Sequence, residues 1–374
     1  METMEIDQEV AKRLLVEGCT FVCTGVPEGT QFGIDMKSWT VGEKFKGVKM
    51  IPPGLHFIYI NATNEHNDYA PRIGFIHNFK PKEMLVKKWD SEKEDISDEV
   101  VSDEEVARFK YNLKELDKFL GVYPYDVYKR WTKLTNELKD EVVSRLTPKC
   151  GKLRSALELT ASDPGDARPK QRRSLSRYTT QEEREEQLLP HLQATPGTAF
   201  RYSRFPDRSH PEGASPAEIT RHSMDKTYTL DGMIRAHCNK PEDLIGELQF
   251  SFVCFVIGWS LESFEQWRQL VSLLCSCEAA VERRHTLYAR FLEALEAQLD
   301  EVPEDFLVDI VASNNVVYRS LKDLFRTINS SDKIDGRLQS KAERFRGRLT
   351  QKFQWDFGGL DCEDDEDAPV VVTL

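Results

Sequence analysis

Short catalytic motifs are absent from this chain of 374 residues. It contains no GxGxxG or GxxxxGK[S/T] phosphate-binding loop, no HExxH zinc motif and no GxSxG nucleophile elbow. Its eight histidines are scattered, and none stands at metal-ligand spacing from a cysteine. The sequence therefore speaks against the common nucleotide-binding, metallohydrolase and serine-hydrolase classes. It predicts no cofactor and no metal.

Membrane and secretion signals are missing as well. The most apolar stretch, Leu248–Leu261, has fourteen residues without a charge, which is too short to span a bilayer and suits a buried core helix. The first residues, METMEIDQEVAKRLL, carry acids early and lack a signal-peptide profile. We expect no membrane partner and a cytoplasmic protein that shuttles to the nucleus.

Cysteine pairs with redox or metal spacing are also lacking. The chain has eight cysteines and no CxxC pair, so we expect free, reduced thiols in an intracellular protein. Cys19 and Cys23 fit one face of a strand, and Cys275 and Cys277 fall near a helix end; core packing is the favoured role for both pairs. The eight are Cys19, Cys23, Cys150, Cys238, Cys254, Cys275, Cys277 and Cys362.

An excess of positive charge is absent too. The net charge is −12, with 51 basic and 63 acidic residues. A general nucleic-acid binder needs a basic face for phosphate contacts, so direct nucleic-acid binding is not expected, although a small basic patch remains compatible.

The most prominent feature that is present is an apolar helical hairpin over Leu244–Cys277. Gly258 is predicted to end its first helix in a left-handed cap, and Ser260 to open the second. One apolar stripe marks the second helix at Phe264, Trp267, Leu270, Val271 and Leu274. The polar residues Glu247, Gln249, Glu262 and Arg268 are expected at the rims of this core.

Residues 1–148 read as a β-sandwich-like domain with flanking helices. Asp7 is a predicted cap for a first helix that ends at Gly18, and short β-type runs separated by Gly and Pro turns follow. The run Leu55–Ile60 is almost wholly apolar, which indicates a strand covered on both faces. The β-type runs are 19–24, 45–51, 55–61, 72–79 and 84–89.

Two helices are predicted to close this domain. The acidic stretch 90–105 reads as a solvated loop, and Ser102 with Glu105 forms a capping box that opens a helix ending at Gly121. A second helix is predicted from about Pro124 to Leu138.

Residues 149–206 read as a polar linker, largely disordered. Large apolar residues are sparse there, and a basic run surrounds Ser174 and Ser176 just after two arginines. A phosphate on either serine could pair with arginines or disrupt an interface, so both are candidate phosphorylation sites. An ordinary solvated linker is the competing interpretation.

Residues 207–357 read as an all-helical domain of six or seven helices with no strand. Ser215, Pro216 and Glu218 give the best local signal, a capping box with Pro at the first helical position, for a helix to about Cys238. After the hairpin, one helix is predicted over 278–299. Pro303 opens the next, which contains Phe306, Ile310 and Val311, and Asn314 or Asn315 is a possible restart of it toward Ile328. A last helix is predicted over 332–354.

Residues 358–374 combine an acidic spacer with a β-prone segment. Asp361–Asp367 holds six acids in seven residues, which is typical of a solubilising spacer. The segment Pro369, Val370, Val371, Val372, Thr373 and Leu374 has high β propensity and no strand partner of its own. It could fold back on its own β domain or add as a strand to a partner's sheet, and the residues leave both alternatives open.

Two groups of polar residues need a test as catalytic sites. His222, Ser223 and Asp225 are close in sequence, but helix neighbours one residue apart do not face each other, so a polar helix face is favoured over a triad. His56 and Asp35 could serve a hydrolase in the β domain, but His56 lies in an apolar strand and is best read as a core histidine. We therefore predict a protein that is not an enzyme.

The chain resembles the Aar-two (a1-alpha2 repression protein) family of splicing factors over nearly its whole length except the linker. In the first half the resemblance rests on Phe32-Gly-Ile-Asp35, Gly47-Val-Lys-Met-Ile-Pro-Pro-Gly-Leu-His-Phe57 and Leu134-Thr-Asn136. In the second half it rests on Glu212-Gly-Ala-x-Pro-Ala-Glu-Ile219, His222-Ser-Met-Asp225, Gly246-Glu-Leu-Gln-Phe250, Phe306-x-Val-Asp-Ile310, Lys352-Phe-x-Trp-Asp-Phe357 and Ala368-Pro-Val-Val-Val372.

The resemblance implies a β-rich domain joined by a linker to a VHS-like, superhelical domain. It also implies an assembly chaperone for the U-five small nuclear ribonucleoprotein, which binds the RNase H-like and Jab/MPN domains of the scaffold protein Prp-eight. The β-prone tail would bridge to Jab/MPN by strand addition, and binding would delay the helicase Brr-two until phosphorylation releases the factor. From the residues alone, a peptide-binding adaptor in trafficking and an unrecognised hydrolase remain the alternatives.

Overall fold

The computed structural model describes residues 7–63, 69–156, 159–161, 192–304 and 316–357, with 159–161 and 192–194 described by their backbone only. The β-rich first half and all-helical second half predicted from the sequence are both present. In the described part of the second half, from Ser215 to Phe357, every regular element is a helix. The α+β fold class is therefore confirmed.

The described strands form two five-stranded sheets and one two-stranded sheet. The first sheet has the order β8-β7-β1-β4-β9, the second has the order β10-β6-β5-β2-β3, and β11 pairs with β12. The strands are β1 Cys19–Thr24, β2 Gln31–Ile34, β3 Lys37–Thr40, β4 Gly47–Ile51, β5 Gly54–Asn61, β6 Ile73–Phe79, β7 Met84–Asp90, β8 Asp95–Ile96, β9 Leu120–Val122, β10 Leu153–Arg154, β11 Leu159–Ala161 and β12 Leu192–Ala194.

Thirteen α-helices lie in the described residues. Those of the first half are α1 Gln8–Glu17, α2 Asp103–Tyr111, α3 Leu113–Leu116, α4 Tyr128–Thr135 and α5 Asp140–Leu146. Those of the second half are α6 Pro216–Met224, α7 Thr227–His237, α8 Asp243–Val256, α9 Leu261–Cys275, α10 Glu278–Arg283, α11 His285–Glu301, α12 Val316–Ser330 and α13 Gly336–Phe353.

Strand β5 explains why its sequence is apolar without alternation. Ile58 and Ile60 point into the core between the two sheets, whereas Phe57 and Tyr59 join the core of the helical half. Both faces of the strand are therefore buried, as the run Leu55–Ile60 predicts. The core of the helical half thus extends into the β domain, on the opposite face of β5 from the core between the two sheets.

Several element boundaries differ from the prediction. The hairpin β2–β3 was not predicted; its two-residue turn has Asp35 at φ 53°. The acidic stretch 90–105 is not wholly a solvated loop, because Asp95–Ile96 forms a buried strand against β7. The helix opened by Ser102 breaks at Asn112, and Leu120 lies in β9 rather than at the helix end.

The helical half is divided more finely than predicted. The segment from Ser215 to Cys238 contains two helices separated at Asp225 and Lys226, and 278–301 contains two separated at Arg284. The described residues of 207–357 therefore hold eight helices rather than six or seven. The predicted helix with Phe306, Ile310 and Val311 lies outside the described residues.

The two ends of the predicted linker are ordered, which corrects the disorder predicted for those ends. Leu153–Arg154 forms β10 against β6, and Phe200, Tyr202 and Phe205 pack against the helical core. Since these apolar and strand-forming residues lie within six residues of the proposed boundaries at 149 and 206, the chain is fixed on both sides of its polar middle. Residues 162–191 lie outside the described residues.

Candidate interaction surface

The strongest catalytic candidate, Asp35 with His56, is a closed structural cluster. The Asp35 carboxylate lies 2.7 Å from His56 Nδ1, accepts a 2.6 Å hydrogen bond from the Tyr123 hydroxyl and accepts another, 2.9 Å long, from the Phe57 amide. His56 Nε2 donates to the Pro52 carbonyl at 2.8 Å. Burial and the nearby Asp35 charge raise the pKa of Tyr123, which therefore stays a donor. Both ring nitrogens of His56 are therefore occupied, and neither is available to a substrate. The cluster connects the β2–β3 turn to strand β5 by hydrogen bonds.

The group His222, Ser223 and Asp225 does not form a triad. The Asp225 carboxylate accepts hydrogen bonds from the Thr227 amide and hydroxyl, at 3.0 and 2.6 Å, at the start of helix α7. The His222 ring instead lies against the Tyr228 ring, with 5.2 Å between centroids. His222 and Asp225 therefore have structural partners rather than each other.

The cysteines of the described residues are free thiols. Cys19, Cys23, Cys275 and Cys277 are buried, in agreement with the core role predicted for them. Burial raises the pKa of the Cys23 thiol to about 12, so it stays protonated and unreactive at neutral pH. Within the ranges that the structure describes, no three His, Cys, Asp or Glu side chains are grouped so as to hold a metal ion.

A buried polar network joins the two halves at Glu247. Its carboxylate accepts from Arg145 Nη2 at 2.9 Å, from the Ser203 amide and hydroxyl at 2.8 and 2.6 Å, and from Gln266 Nε2 at 3.0 Å. The Glu247 carboxylate of α8 thus connects three other segments: helix α5, the end of the linker and helix α9. The predicted rim position of Glu247 is wrong, because the residue has no exposed surface.

Gln249 makes a second buried connection, and its predicted rim position is also wrong. Its carbonyl oxygen accepts from the Glu137 amide at 2.9 Å, and its amide nitrogen donates to Asn136 Oδ1 at 2.6 Å. Helix α8 is buried on all of its faces, so its polar residues Glu247 and Gln249 contact the first half of the chain rather than solvent. A charge on an enclosed helix is tolerated only when its hydrogen bonds are made, as they are here.

Arg72 forms a third connection, between the β domain and the α8–α9 turn. Its guanidinium carbon lies 3.4 Å from the centroid of the Trp259 ring and 4.2 Å from that of Tyr59. It also donates to the Ile257 carbonyl, to Asn61 Oδ1 at 3.0 Å and to Gln31 Oε1 at 3.2 Å. Burial lowers the pKa of Arg72 to about 10, which still leaves it charged at neutral pH. The cation is therefore held by two aromatic faces and neutral oxygens.

The α8–α9 turn has a different geometry from the one predicted. Trp259, with φ 59°, is the left-handed residue, and Gly258 is not. Gly258 is needed for space, since a Cβ there would stand 2.5 Å from the Cys254 carbonyl oxygen. The amides of Trp259 and Ser260 return to the carbonyls of Phe255 and Cys254, at 2.9 and 3.1 Å. This turn forces a large aromatic side chain to the surface, and Ser260 caps the next helix as predicted.

An apolar surface surrounds this turn. Trp259 is 50% exposed and Leu261 is 76% exposed. They border a cavity of about 340 Å³ whose walls come from the end of α8, the start of α9 and the end of α11. The other lining residues are Phe255, Val256, Glu301, Val302 and Pro303. Neighbouring exposed apolar side chains around a preformed cavity are typical of a protein-binding site, so we call this the Trp259 surface.

A larger cleft of about 650 Å³ lies between the open edges of the two sheets. Three of its charged groups pair with one another: the Lys152 ammonium lies 2.7 Å from Asp95 Oδ2 and 2.9 Å from Asp98 Oδ1, and it also lies 2.7 Å from the Ile96 carbonyl. These contacts tie the end of the first domain to strand β8. The arrangement supports a structural role.

The residues that the sequence predicts to bind a partner or to carry a phosphate are not tested by this geometry. The tail residues 369–374 and the candidate phosphorylation sites Ser174 and Ser176 lie outside the described residues. The Trp259 surface was missed because the hairpin was read as a core. The sequence signal that could have revealed this surface is the pair Trp259 and Leu261 at a predicted turn. Turns lie at the surface of a protein, so large apolar residues there are expected to be exposed.

Together these features define a β-sheet domain and an all-helical domain fastened by buried polar contacts, with an exposed apolar surface at their junction. The AAR2 N-terminal domain model matches residues 17–148, and the AAR2 C-terminal repeat region model matches residues 202–358. The chain therefore belongs to the AAR2 family.

Individual relatives cover between 93% and 100% of the chain. Protein AAR2 homolog of Homo sapiens is 40% identical over 385 residues, covering 100% of this chain and 98% of the relative. Protein AAR2 homolog of Caenorhabditis elegans is 34% identical over 93% of this chain and 97% of its own length. A1 cistron-splicing factor AAR2 of Saccharomyces cerevisiae is 24% identical over 93% of this chain and 96% of its own. Among the helices of the described residues, none has the length and apolar character to cross a membrane.

Proposed function

We propose that this chain is a non-enzymatic splicing factor that assists assembly of the U-five small nuclear ribonucleoprotein. In this proposal it binds the RNase H-like and Jab/MPN domains of the scaffold protein Prp-eight and delays binding of the helicase Brr-two. Protein, not nucleic acid or a membrane, is its direct partner. It acts in the cytoplasm and shuttles to the nucleus.

The observation that carries the proposal is similarity over the full chain to a family that includes a yeast protein named as a splicing factor. The closed Asp35–His56 cluster and the protonated Cys23 thiol agree with a protein that works by binding. A rigid body with an exposed apolar surface is also what docking on a folded partner requires, because little ordering entropy is then lost on association.

We propose that the helical domain docks on the RNase H-like domain and that residues 369–374 add as a strand to Jab/MPN. Strand addition gives affinity through main-chain hydrogen bonds, and alternating valines set the register. The preceding acidic residues act as a spacer that provides reach. Phosphorylation at Ser174 or Ser176 is the proposed release switch.

Co-purification with the two purified Prp-eight domains tests this proposal. The full chain should retain both domains, and a version ending at Leu360 should lose Jab/MPN while keeping the RNase H-like domain. Unchanged Jab/MPN binding by the shorter version would refute strand addition. If neither version binds either domain, the proposed function itself fails.

Two further variants locate the contact and the switch. Leu261→Asp places a charge on the Trp259 surface and should weaken RNase H-like binding at least tenfold if that surface is used, since it puts an unpaired charge into an apolar contact. The matched control Leu15→Asp changes an equally exposed leucine, 70% exposed, on helix α1. Glutamate at Ser174 or Ser176 should reduce binding, and unchanged binding would exclude a switch there.

A further inference from the structure

Helix α13 is strongly basic in a chain that is acidic as a whole. Its 18 residues include six basic side chains and one acid, whereas the complete chain carries a net charge of −12. Charge of this sign on one helix of an acidic protein needs a counter-charge nearby, because like charges along a helix destabilise it.

Four of the basic side chains are already engaged. Lys341 pairs with Glu293, Arg348 pairs with Glu296 and Asp300, and Lys352 donates to the Leu299 and Asp300 carbonyls, so all three fasten α13 to α11. Arg346 pairs with Glu343 on its own helix.

Arg337 and Arg344 are left over, and they form one exposed stripe. They are seven residues apart, which places them two turns apart on the same helix face. Ser340, Gly347 and Gln351 share that face, and all five are exposed. Among the residues that the structure describes, neither arginine has a carboxylate partner; Arg344 Nε donates only to the Ser340 carbonyl, at 3.4 Å. We call this face the arginine stripe.

The chain turns back toward α13 as it leaves the helix. Gln354, with φ 57°, reverses its direction. Phe357 then lies 5.2 Å from the Phe325 ring, and the same ring lies 6.1 Å from Phe345, two turns before the end of α13. The last described residue is therefore anchored beside the middle of the helix rather than beyond its end.

We propose that the acidic segment Asp361–Asp367 docks along the arginine stripe of the same molecule. An extended chain advances ~3.3 Å per residue, so the acids begin ~13 Å and end ~33 Å from Phe357. Helix α13 is ~27 Å long at 1.5 Å per residue. The segment is therefore long enough for its six acids to reach both arginines.

Docking of this kind has a consequence for the rest of the tail. The segment would cover the exposed positive charge of α13 and hold residues 369–374 near the N-terminal end of that helix. Single exposed ion pairs contribute ~0–1 kcal/mol, so the contact depends on several pairs together and weakens with salt. The inference concerns contacts within the chain and does not depend on which partner the tail binds.

A distance measurement between two spin labels tests the proposal on the full chain. Cys362 lies inside the acidic segment and takes one label, and Ser340→Cys on the arginine stripe takes the other. Cys150 and Cys238, the exposed and half-buried thiols, are changed to Ser to keep labelling specific. At low salt we expect a narrow, short distance population, which should disappear at ~1 M NaCl, where the Debye length is ~3 Å.

Matched charge variants decide between outcomes. Arg337→Gln with Arg344→Gln should abolish the short population, while Arg221→Gln with Arg235→Gln removes two exposed charges elsewhere and should leave it intact. A broad distribution of label-to-label distances that changes neither with salt nor in either variant pair would overturn the proposal. A short distance that persists without the stripe arginines would also overturn it, because ionic docking would not be its cause. Unchanged circular dichroism confirms that each variant is folded.

Discussion

Glu247 has no exposed surface, yet it lies in the middle of the most apolar helix of the protein. It is stable there because its carboxylate accepts four hydrogen bonds, from Arg145, from the Ser203 amide and hydroxyl, and from Gln266. Arg145 also donates to the Ser203 hydroxyl. Removing one member of a buried ion pair leaves the remaining charge without compensation, which is much more damaging than replacing the pair.

Glu247→Ala should lower the free energy of unfolding by about 3–5 kcal/mol, since the Arg145 guanidinium and the Ser203 amide lose their acceptor. Glu265→Ala is the control, because Glu265 pairs with Arg268 at 2.8 Å on an exposed surface and should change stability by less than about 1 kcal/mol. Urea denaturation of both variants measures the difference. Equal effects would show that the Glu247 network contributes no more than a surface pair.

Trp259 and Arg72 should be energetically coupled across the domain junction. A non-glycine residue in the left-handed region costs about 1 kcal/mol or more, and the stacked guanidinium offsets that cost. In a double-mutant cycle, Trp259→Ala and Arg72→Met should show a coupling energy of about 1–2 kcal/mol. The single variants and the double variant are compared by denaturation.

A coupling close to zero in that cycle would show that Trp259 is held by the turn alone. Phe264→Ala combined with Arg72→Met provides the control pair, because Phe264 lies on α9 and stacks on Trp267 rather than on the guanidinium. Its coupling with Arg72 should be within the error of additivity.

The sequence predicts single residues well where the physical cause is local. The caps at Asp7, Ser102, Ser215 and Ser260 are all present, because a cap depends on neighbours two or three residues away. The left-handed residue was placed at Gly258 instead of Trp259, since glycine satisfies two requirements, positive φ and close approach, and only the structure shows which one applies.

At the scale of single elements, α6 buries none of its nine residues, a property it shares with α2. An isolated helix of this length is marginal in water, so its caps must supply much of its stability. The Glu218 carboxylate accepts from the Ser215 amide and hydroxyl, both at 2.8 Å, and these hydrogen bonds lower the pKa of Glu218.

Helix α6 should therefore lose order in acid before the rest of the molecule does. A carboxyl group whose folded pKa is lowered stabilises the fold above its unfolded pKa, about 4.3 for Glu, and the effect is lost as pH falls through the folded value. Amide protection factors of residues 216–224 should fall across that range. Ser215→Ala should lower protection at neutral pH but keep most of its pH dependence, because the amide of residue 215 still donates to Glu218. Glu218→Gln should remove that pH dependence, and protection of the unchanged chain that is constant with pH would contradict the cap's role.

Elements with a strong local pattern were predicted, and those defined by distant partners were not. The apolar run of β5 and the stripe of α9 identify a strand and a helix from sequence alone. Strand β3 is mostly exposed and polar, and β8, β9 and β10 have two or three residues each, so their strand character comes from pairing with remote segments. Such pairing leaves no periodic signal in the chain.

At the scale of the whole molecule, the core of the helical half extends into the first half, beside the separate core between the two sheets. Phe57 and Tyr59 of β5 and Trp131 of α4 belong to the same buried cluster as Leu248 and Phe291 of the helical half. Composition indicated the change from strands to helices and the polar middle of the linker. It could not indicate this shared interior, because an apolar residue in a sequence does not specify which segment covers it.

Gly246 lies where helix α8 packs closely against the α4–α5 connection, and it tests how rigidly the two halves are joined. A Cβ at this position would stand 2.7 Å from the Glu137 carbonyl oxygen and 3.3 Å from a Val142 methyl group. The Glu137 backbone cannot easily give way, since its amide is bound by Gln249 and its carboxylate lies 2.7 Å from Arg290. Alanine would thus have to push α8 away from the α4–α5 connection.

We expect Gly246→Ala to destabilise the protein by about 1–3 kcal/mol, the usual range for an overpacked interior, although alanine is the better helix former. Gly232→Ala on α7 is the matched control: no atom lies within 4 Å of its Cβ position, so propensity alone should stabilise the protein by about 0.5–1 kcal/mol. Opposite signs in thermal and urea denaturation are the expected result. If both variants stabilise the protein, the junction is compliant, and docking would then have to order the two halves relative to each other at a cost in affinity that a rigid body avoids.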